Sequence, residues 1–289
     1  YPQETGVQVK LPMTKTRLSF SNLSADAFLK EAKVKPYYGR YLLLLTLQEA
    51  DPVPADDKPY ACAIDFGVDN FAAIVGEDHS SVIYKGGAVL SSCQWFHKRQ
   101  AKLISILTKG HTIKHVSSRQ LKNLSYHHAN FIKDQCHKIS RNIIHYCLEH
   151  QIGTLVLGVN KLWKQETEMG KQNNQNFVSM PIALLRGLIT YKALNAGIKV
   201  VEQEESYTSK ADVTAGDYLP TYGVDDEKAA FSGTRQGRGL YRCHDGRRIN
   251  ADCNGAANIL RKAFPDIWKH TTDFGFLATP AVVGFRQLN

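Results

Sequence analysis

No two cysteines of the sequence stand at CxxC spacing; the six, at 62, 93, 136, 147, 243 and 253, are scattered. That excludes a disulfide scaffold and a four-cysteine zinc site, and a reducing cytoplasm suits such thiols best. The sequence also lacks an apolar run near the roughly 18 residues that cross a bilayer. Its longest candidate, "YLLLLTL" at 41–47, has the length of a strand. No signal peptide is present, and the opening "YPQETGVQVKLPM" has no initiator Met, which reads as a fragment or processed form of something longer. Negative charge is the scarcer sign: 27 Asp plus Glu stand against 36 Lys plus Arg, a formal charge of +9. Such an excess either serves solubility or speeds the approach of polyanionic partners, and net charge alone leaves the two even.

What remains is ordinary globular material: 289 residues, 43% hydrophobic and 22% charged, enough for one large domain and an appendage. Residues 1–50 hold two strand-like runs, "GVQVKLPM" and "GRYLLLLTLQEA", around a polar segment. Residues 51–59, rich in proline and acids, read as a linker. "YACAIDFGVDNFAAIVGEDHSSVIYKGG" then alternates strand and turn, an antiparallel meander. Residues 91–150 read as helical, with Leu121, Leu124, Phe131, Ile132, Cys136, Ile139, Ile143 and Cys147 at steps near three and four. The strand "GTLVLG", the helix "SMPIALLRGLITYKALNAG" and the strand "IKVVEQEE" follow, then a Gly-, Ser- and Thr-rich loop at 206–240. A last helix fills "NADCNGAANILRKAF", and the aperiodic tail 265–289 reads as disordered or surface-wrapping. Strands in a meander followed by βαβ units predict an α/β fold, a mixed sheet with flanking helices in the order of an RNase H-like domain.

Within that order the carboxylates matter. Asp65 ends an apolar strand just before the Gly67 turn, and Asp252 opens the last helix between Asn250 and Asn254. Each alone has a plain explanation, a turn residue and a helix-dipole acid respectively. Phosphodiester hydrolysis through two Mg²⁺ ions needs carboxylates from different elements meeting at one sheet edge, about 3.5–4 Å separating the ions.

Together the two segments "AIDFGVDN" and "RRINADCNGAANIL" resemble the first and third RuvC motifs of the transposon-encoded TnpB (OrfB) proteins, which are similar to the ancestors of type V CRISPR effectors. "LWKQETEMGKQNNQN", "YKALNAGIKV" and "EESYTSK" lie between them in the family's order, so the resemblance covers about residues 58–264. It implies an RNase H-like (RuvC) domain of mixed sheet with a long helical insertion at 91–150, preceded by part of a β-rich wedge domain. The implied parts are a wedge remnant at 1–50, the linker 51–59, RuvC at 60–205 and 246–264, a degenerate zinc-ribbon-like insertion at 206–245 and the tail 265–289. The upstream recognition domain and first half of the wedge are absent from this chain or supplied separately. The implied activity is RNA-guided cleavage of DNA with two Mg²⁺ ions, with a guide RNA and a target DNA as partners and no membrane. The implied setting is the bacterial cytoplasm, at the nucleoid when DNA is bound.

Two departures from the family stand out. Its second RuvC motif usually ends in Glu, and that position here is Gly158 in "TLVLGVN". A subset of the family, with the Fanzor relatives, carries the Glu before the downstream "TS" instead. Here "VVEQEESYTSK" offers Glu202, Glu204 and Glu205. Adjacent strands lie about 4.8 Å apart, within a Glu side chain's reach. The implied metal set is Asp65, Glu205 and Asp252, with Glu204 as the alternative second carboxylate. Opposite strand parity argues against Glu204.

The second departure is the zinc ribbon. Asp212, Ala215, Arg242 and Asp245 occupy the positions of its two CxxC pairs, while Cys243 and His244 are out of register. No structural zinc is expected. Lys98, Arg99, Lys102, Lys114, Arg119 and Lys122 are candidate contacts to a nucleic-acid backbone. Trp95, Trp163 and Tyr207 are candidate stacking residues, with a core or turn role the simpler reading. Two alternatives remain open: a guided DNA-binding protein that does not cut, and an unguided enzyme of the same fold such as a junction resolvase.

Overall fold

The computed structural model describes residues 7–10, 15, 17–20, 28–48, 58–109, 116–159, 179–237 and 239–288. Lys114, Trp163 and the segment "LWKQETEMGKQNNQN" lie outside the described residues. The chain divides into a smaller unit, Tyr1–Pro52 with Ser117–Tyr126, and a larger one, Val53–Val116 with His127–Asn289.

The smaller unit holds two antiparallel pairs, β1 (Val7–Lys10) with β2 (Arg17–Phe20) and β3 (Phe28–Tyr37) with β4 (Arg40–Gln48). Strand β3 falls in the segment that reads merely as polar. Its many lysines hide the alternation, because in this chain both faces of β3 are largely exposed. A two-residue turn at Tyr38–Gly39, both with positive φ, closes the hairpin as strand twist requires. The Arg40 guanidinium lies 3.8 Å from the centre of the Tyr126 ring, a cation–π contact that seats the hairpin end on residues 117–126.

The larger unit is built on one six-stranded sheet. Strands β5 (Tyr60–Asp65), β6 (Asn70–Gly76) and β7 (Ser81–Lys85) form the antiparallel meander. Helices α1 (Gly87–Thr108) and α2 (Arg119–Glu149) follow, then β8 (Ile152–Val159), α3 (Ile182–Asn195) and β9 (Lys199–Glu204). Strands β10 (Thr234–Gly237), β11 (Leu240–Arg242) and β12 (Arg248–Asn250) make a small antiparallel sheet, and β12 runs straight into α4 (Ala251–Ala263). The last strand, β13 (Ala281–Val283), pairs parallel to β7. The main sheet reads β13-β7-β6-β5-β8-β9, with β8 and β9 parallel to β5. This is the mixed α/β sheet with flanking helices that the sequence predicts.

Side chains alternate across the sheet and build two cores. Cys62, Ile64, Ile74, Leu155 and Leu157 face Ile139, Ile143 and Leu185 of α2 and α3. On the other side Ala61, Ala63, Ala73, Val75 and Val156 face Ala256, Ile259 and Leu260 of α4. Alanine is a poor strand former. Here three strand alanines and the small residues of "ADCNGAANIL" thin the interface, so α4 can approach the sheet closely.

Two stretches differ from the sequence expectation. The region 206–240, read as loop, contains β10 and the start of β11. Its short strands carry no legible alternation. The tail, read as disordered or surface-wrapping, is folded against the second core: Trp268, Phe274 and Leu277 are buried, and Trp268 Nε1 donates to the Ala257 carbonyl at 3.0 Å. Its aromatic spacing follows irregular turns, so no helical or strand period reveals it. Among the described residues no helix is long and apolar enough to cross a membrane.

Candidate active site at the ends of the central strands

The carboxyl ends of β5 and β8 lie side by side, and β9 flanks β8. Ile64 pairs with Leu157, which sets Asp65 abreast of Gly158. Gly158 in turn pairs with Gln203 and Val159 with Glu204, so Glu205 emerges one residue past the end of β9. A Cβ built on Gly158 would stand 2.7 Å from Glu205 Oε2 and 2.7 Å from the Ile259 Cδ1 of α4. The space that a side chain at 158 would take is already filled, in part by the Glu205 carboxylate.

Helix α4 brings the third carboxylate. Asn250 caps it by accepting from the backbone N–H groups of Asp252 (2.9 Å) and Cys253 (3.1 Å), which fixes Asp252 in the first turn. One turn on, a Cβ on Gly255 would lie 2.6 Å from Asp65 Oδ2, so only glycine lets the helix come this near to β5.

The electrostatics follow from burial and crowding. Burial, then the charges of Glu205 and Asp252, push the Asp65 carboxyl well above its usual value; Arg235 and the Phe66 backbone N–H pull the other way. Burial and Glu204 push Glu205 up to about 7, against a lowering pull from Arg186. Glu204 behaves differently. Burial opposes its ionisation, yet hydrogen bonds from Lys262 and Ser206 and the Lys262 charge hold its carboxyl below the usual value. Lys262 Nζ donates to Glu204 Oε2 and the Ser206 N–H to Oε1. The structure thus gives the two neighbouring acids separate environments: Glu205 faces Gly158, and Glu204 is paired with Lys262.

Asp252 is also engaged. Asn70 Nδ2 donates to its Oδ2 at 2.5 Å, and Arg235 Nη2 donates to its Oδ1 at 3.0 Å. Lys85 Nζ orients the amide by donating to Asn70 Oδ1 at 2.8 Å. Among the described residues no three His, Cys, Asp or Glu side chains are gathered closely enough to enclose a metal ion. By donor type alone, the carboxylate oxygens of Asp65 and Glu205 are hard ligands of the kind a divalent cation prefers.

Of the basic candidates, Lys98, Arg99 and Lys102 are exposed on α1, with Lys98 and Lys102 one turn apart. Arg119 and Lys122 are exposed at the start of α2, in the smaller unit. Trp95, three residues before Lys98, is 59% exposed, which excludes the core role its size suggests. Tyr207 keeps a turn role: its φ is +64° and its hydroxyl donates to Asp226 Oδ1 at 2.6 Å.

Where a zinc ribbon would have its first ligand, Asp212 is wholly buried. Its Oδ1 accepts from the Thr214 N–H (2.9 Å) and hydroxyl (2.7 Å), and its Oδ2 from the His244 N–H (2.7 Å). Burial opposes the charge, but these bonds hold the carboxyl below its usual value. One carboxylate therefore ties the 211–217 turn to the 243–247 turn. Arg242 and Asp245, in the second pair's positions, are not among its hydrogen-bond partners.

The sequence does not single out Asn70, Arg235 or Asn258, and it marks Asn254 only as a flank of Asp252. Asn70 sat within the "DFGVDN" motif as an unremarked strand start. Arg235 lies where the sequence shows no period at all. Asn254 and Asn258, one turn apart on α4, donate to the Ala211 carbonyl at 2.8 and 2.7 Å, and Asn258 also to Thr208 at 3.0 Å. Buried amides on a helix otherwise rich in alanine were the available signal.

A mixed sheet with Asp65 at the end of β5, Glu205 just past the end of β9 and Asp252 at the start of α4 has the architecture of a RuvC-like fold. Comparison with known proteins agrees. Residues 45–164 match the family OrfB_IS605, described as a probable transposase, and residues 183–259 match the Cas12f1-like TNB domain. The chain is 28% identical over 208 residues to the TnpB-like protein ORF457 of Acidianus two-tailed virus, covering 70% of this chain and 41% of that one. It is 27% identical over 236 residues to the CRISPR-associated endodeoxyribonuclease Cas12f2 of Micrarchaeota archaeon (strain CG1_02_47_40), covering 78% and 41%. A Cas12f1 chain solved by cryo-EM with sgRNA and target DNA superposes with a TM-score of 0.52 at 16% identity, over 76% of this chain and 42% of that chain. The chain thus resembles the TnpB and Cas12f proteins over most of its own length, and it spans about two-fifths of the curated relatives it matches.

Proposed function

We propose that the chain is the nuclease part of an RNA-guided DNA endonuclease, acting on DNA matched to a guide RNA. Asp65, Glu205 and Asp252 hold two Mg²⁺ ions in this reading. The ions, when bound, supply an activated water and charge stabilisation at the leaving oxygen. The chain's own residues do the rest. Asp65 and Glu205 give up their protons to become ligands, and α4 sets Asp252 against them. Lys98, Arg99 and Lys102 on α1 hold the phosphate backbone, with exposed Trp95 beside them for base stacking. Base pairing with the guide selects the sequence. The observation that carries the reading is the Glu205 carboxylate in the space over Gly158, next to Asp65. It supports reading the glycine as a relocation of the carboxylate rather than a loss.

The second reading, a guided DNA-binding protein without cleavage, is favoured by the engagement of both Asp252 oxygens. One experiment separates the two: Mg²⁺-dependent cleavage of guide-matched DNA by the ribonucleoprotein, beside Asp65→Ala, Glu204→Ala and Glu205→Ala at equal DNA binding. Loss of cutting in Asp65→Ala and Glu205→Ala, with Glu204→Ala active, supports the nuclease. A parent complex that binds matched DNA and never cuts it supports the second reading.

A further inference from the structure

Three polar side chains of α4, Asn254, Asn258 and Lys262, stand at four-residue steps and so share one face of the helix. They fasten the segment that follows β9, in reverse chain order. Asn254 meets the Ala211 carbonyl and the Val213 N–H, and Asn258 the Ala211 and Thr208 carbonyls. Lys262 closes the row at the end where Glu205 lies. Its side chain is only 9% exposed, and a lysine is almost never buried unless its charge is paired. The ammonium has three donors, and each finds an acceptor: Glu204 Oε2, the Ser206 carbonyl at 3.2 Å and the Pro220 carbonyl at 2.8 Å. The Glu204 carboxylate accepts in turn from the Ser206 N–H at 2.6 Å.

Glu205 is thus bracketed. The residue before it and the residue after it converge on one ammonium, and its own carbonyl accepts from the Thr208 hydroxyl at 2.8 Å. We infer that Lys262 is a positioning residue for Glu205: by holding the Glu204 carboxylate and the Ser206 carbonyl against α4, it keeps the Glu205 carboxylate in the space over Gly158. The inference rests on the reading of Glu205 as a carboxylate of the active site. The need for such a holder follows from the glycine. A carboxylate at position 158 would be set by β8, which pairs with strands on both sides. Glu205 instead stands one residue past β9, the last strand of the sheet, where the ladder has ended. Lys262 supplies from α4 the constraint that the ladder does not. Because α4 also carries Asp252, one helix sets two of the three carboxylates relative to each other.

The test separates positioning from the pairing of a charge. Lys262→Met leaves the largely buried Glu204 carboxylate without its partner and is expected to lower the melting temperature. Adding Glu204→Gln removes that charge and is expected to restore most of the loss. Single-turnover cleavage of guide-matched DNA by the ribonucleoprotein, at equal DNA binding, is then compared between Glu204→Gln alone and the double variant. The double variant is expected to cut about ten- to a hundredfold more slowly, the scale of a displacement of about 1 Å at a reacting group. Amide hydrogen exchange of the full chain without nucleic acid reads the same tie without activity. Residues 205–208 are expected to exchange about tenfold faster in the double variant than in Glu204→Gln, with α2 unchanged. Equal cutting by the two variants, or equal exchange, overturns the inference, because Lys262 then only pairs a charge. Where the parent binds matched DNA and never cuts it, the nuclease reading fails, and the exchange by itself decides whether Lys262 holds the segment.

Discussion

Glu205 is the residue on which the proposed chemistry and stability meet. Its carboxyl, ordinarily near 4.5, is pushed up to about 7 by burial and by Glu204. A group whose pKa rises on folding holds its proton more tightly in the folded chain. Its contribution to stability is full below pH 4.5 and fades as the pH climbs through about 7. In EDTA, then, the chain is expected to lose melting temperature between about pH 5 and pH 8, with Glu205→Gln showing a flatter profile over that window. Asp65, raised by burial and by its acidic neighbours, works in the same direction and persists in that variant. A Glu205→Gln profile as steep as the parent's would show that Glu205 ionises as in the unfolded chain. Glu204, one residue earlier, is tied to Lys262 and does not share the effect.

At the scale of elements, α4 and the C-terminal segment act as one packed layer on the sheet. The segment's anchor is Trp268, 6% exposed, whose indole N–H caps the Ala257 carbonyl in the body of α4. Phe274 meets it edge-on at 6.1 Å and Phe276 at a tilt at 6.0 Å between ring centres. Trp268→Ala is expected to cost about 3–5 kcal/mol in chemical denaturation, the range for truncating a buried large aromatic. A cost below about 1 kcal/mol would mean that the segment is peripheral to α4. Because α4 carries Asp252 and Gly255, the same variant is expected, on the proposed nuclease reading, to lower cleavage more than guide or target binding. The clamp from Asn254 and Asn258 to the 208–211 backbone ties the segment after Glu205 to the same helix.

For the whole molecule the governing quantity is charge. A formal +9 chain with exposed Lys98, Arg99 and Lys102 on one helix is suited to polyanions. Counterion release sets the slope of log affinity against log salt, about 0.9 per phosphate neutralised on duplex and about 0.7 on a single strand. The combined change Lys98→Gln, Arg99→Gln and Lys102→Gln is expected to flatten that slope by about two to three units on duplex while leaving sequence choice intact. An unchanged slope would place the nucleic acid elsewhere on the molecule.

Several features were legible in the sequence because they are local or periodic. The meander announced itself through Gly67 and strand-length apolar runs and α2 through its three-four spacing, while Asp65 and Asp252 stood out only through the resemblance of their segments to two family motifs. The family resemblance raised the question at Gly158 and pointed to Glu205, which stands at the relocated position, and strand spacing made the offset one a Glu side chain can span. Other features were settled only by the tertiary structure. Burial and pairing separated Glu205 from Glu204: two adjacent acids differ by which neighbour each meets, and Lys262 lies 58 residues along the chain from Glu204. The grip of Asn70 and Arg235 on Asp252 joins three elements distant in sequence, and β13 closes the sheet edge beside a strand nearly 200 residues earlier. Local sequence encodes which residues can form an element and where it turns; long-range packing decides which charges become neighbours.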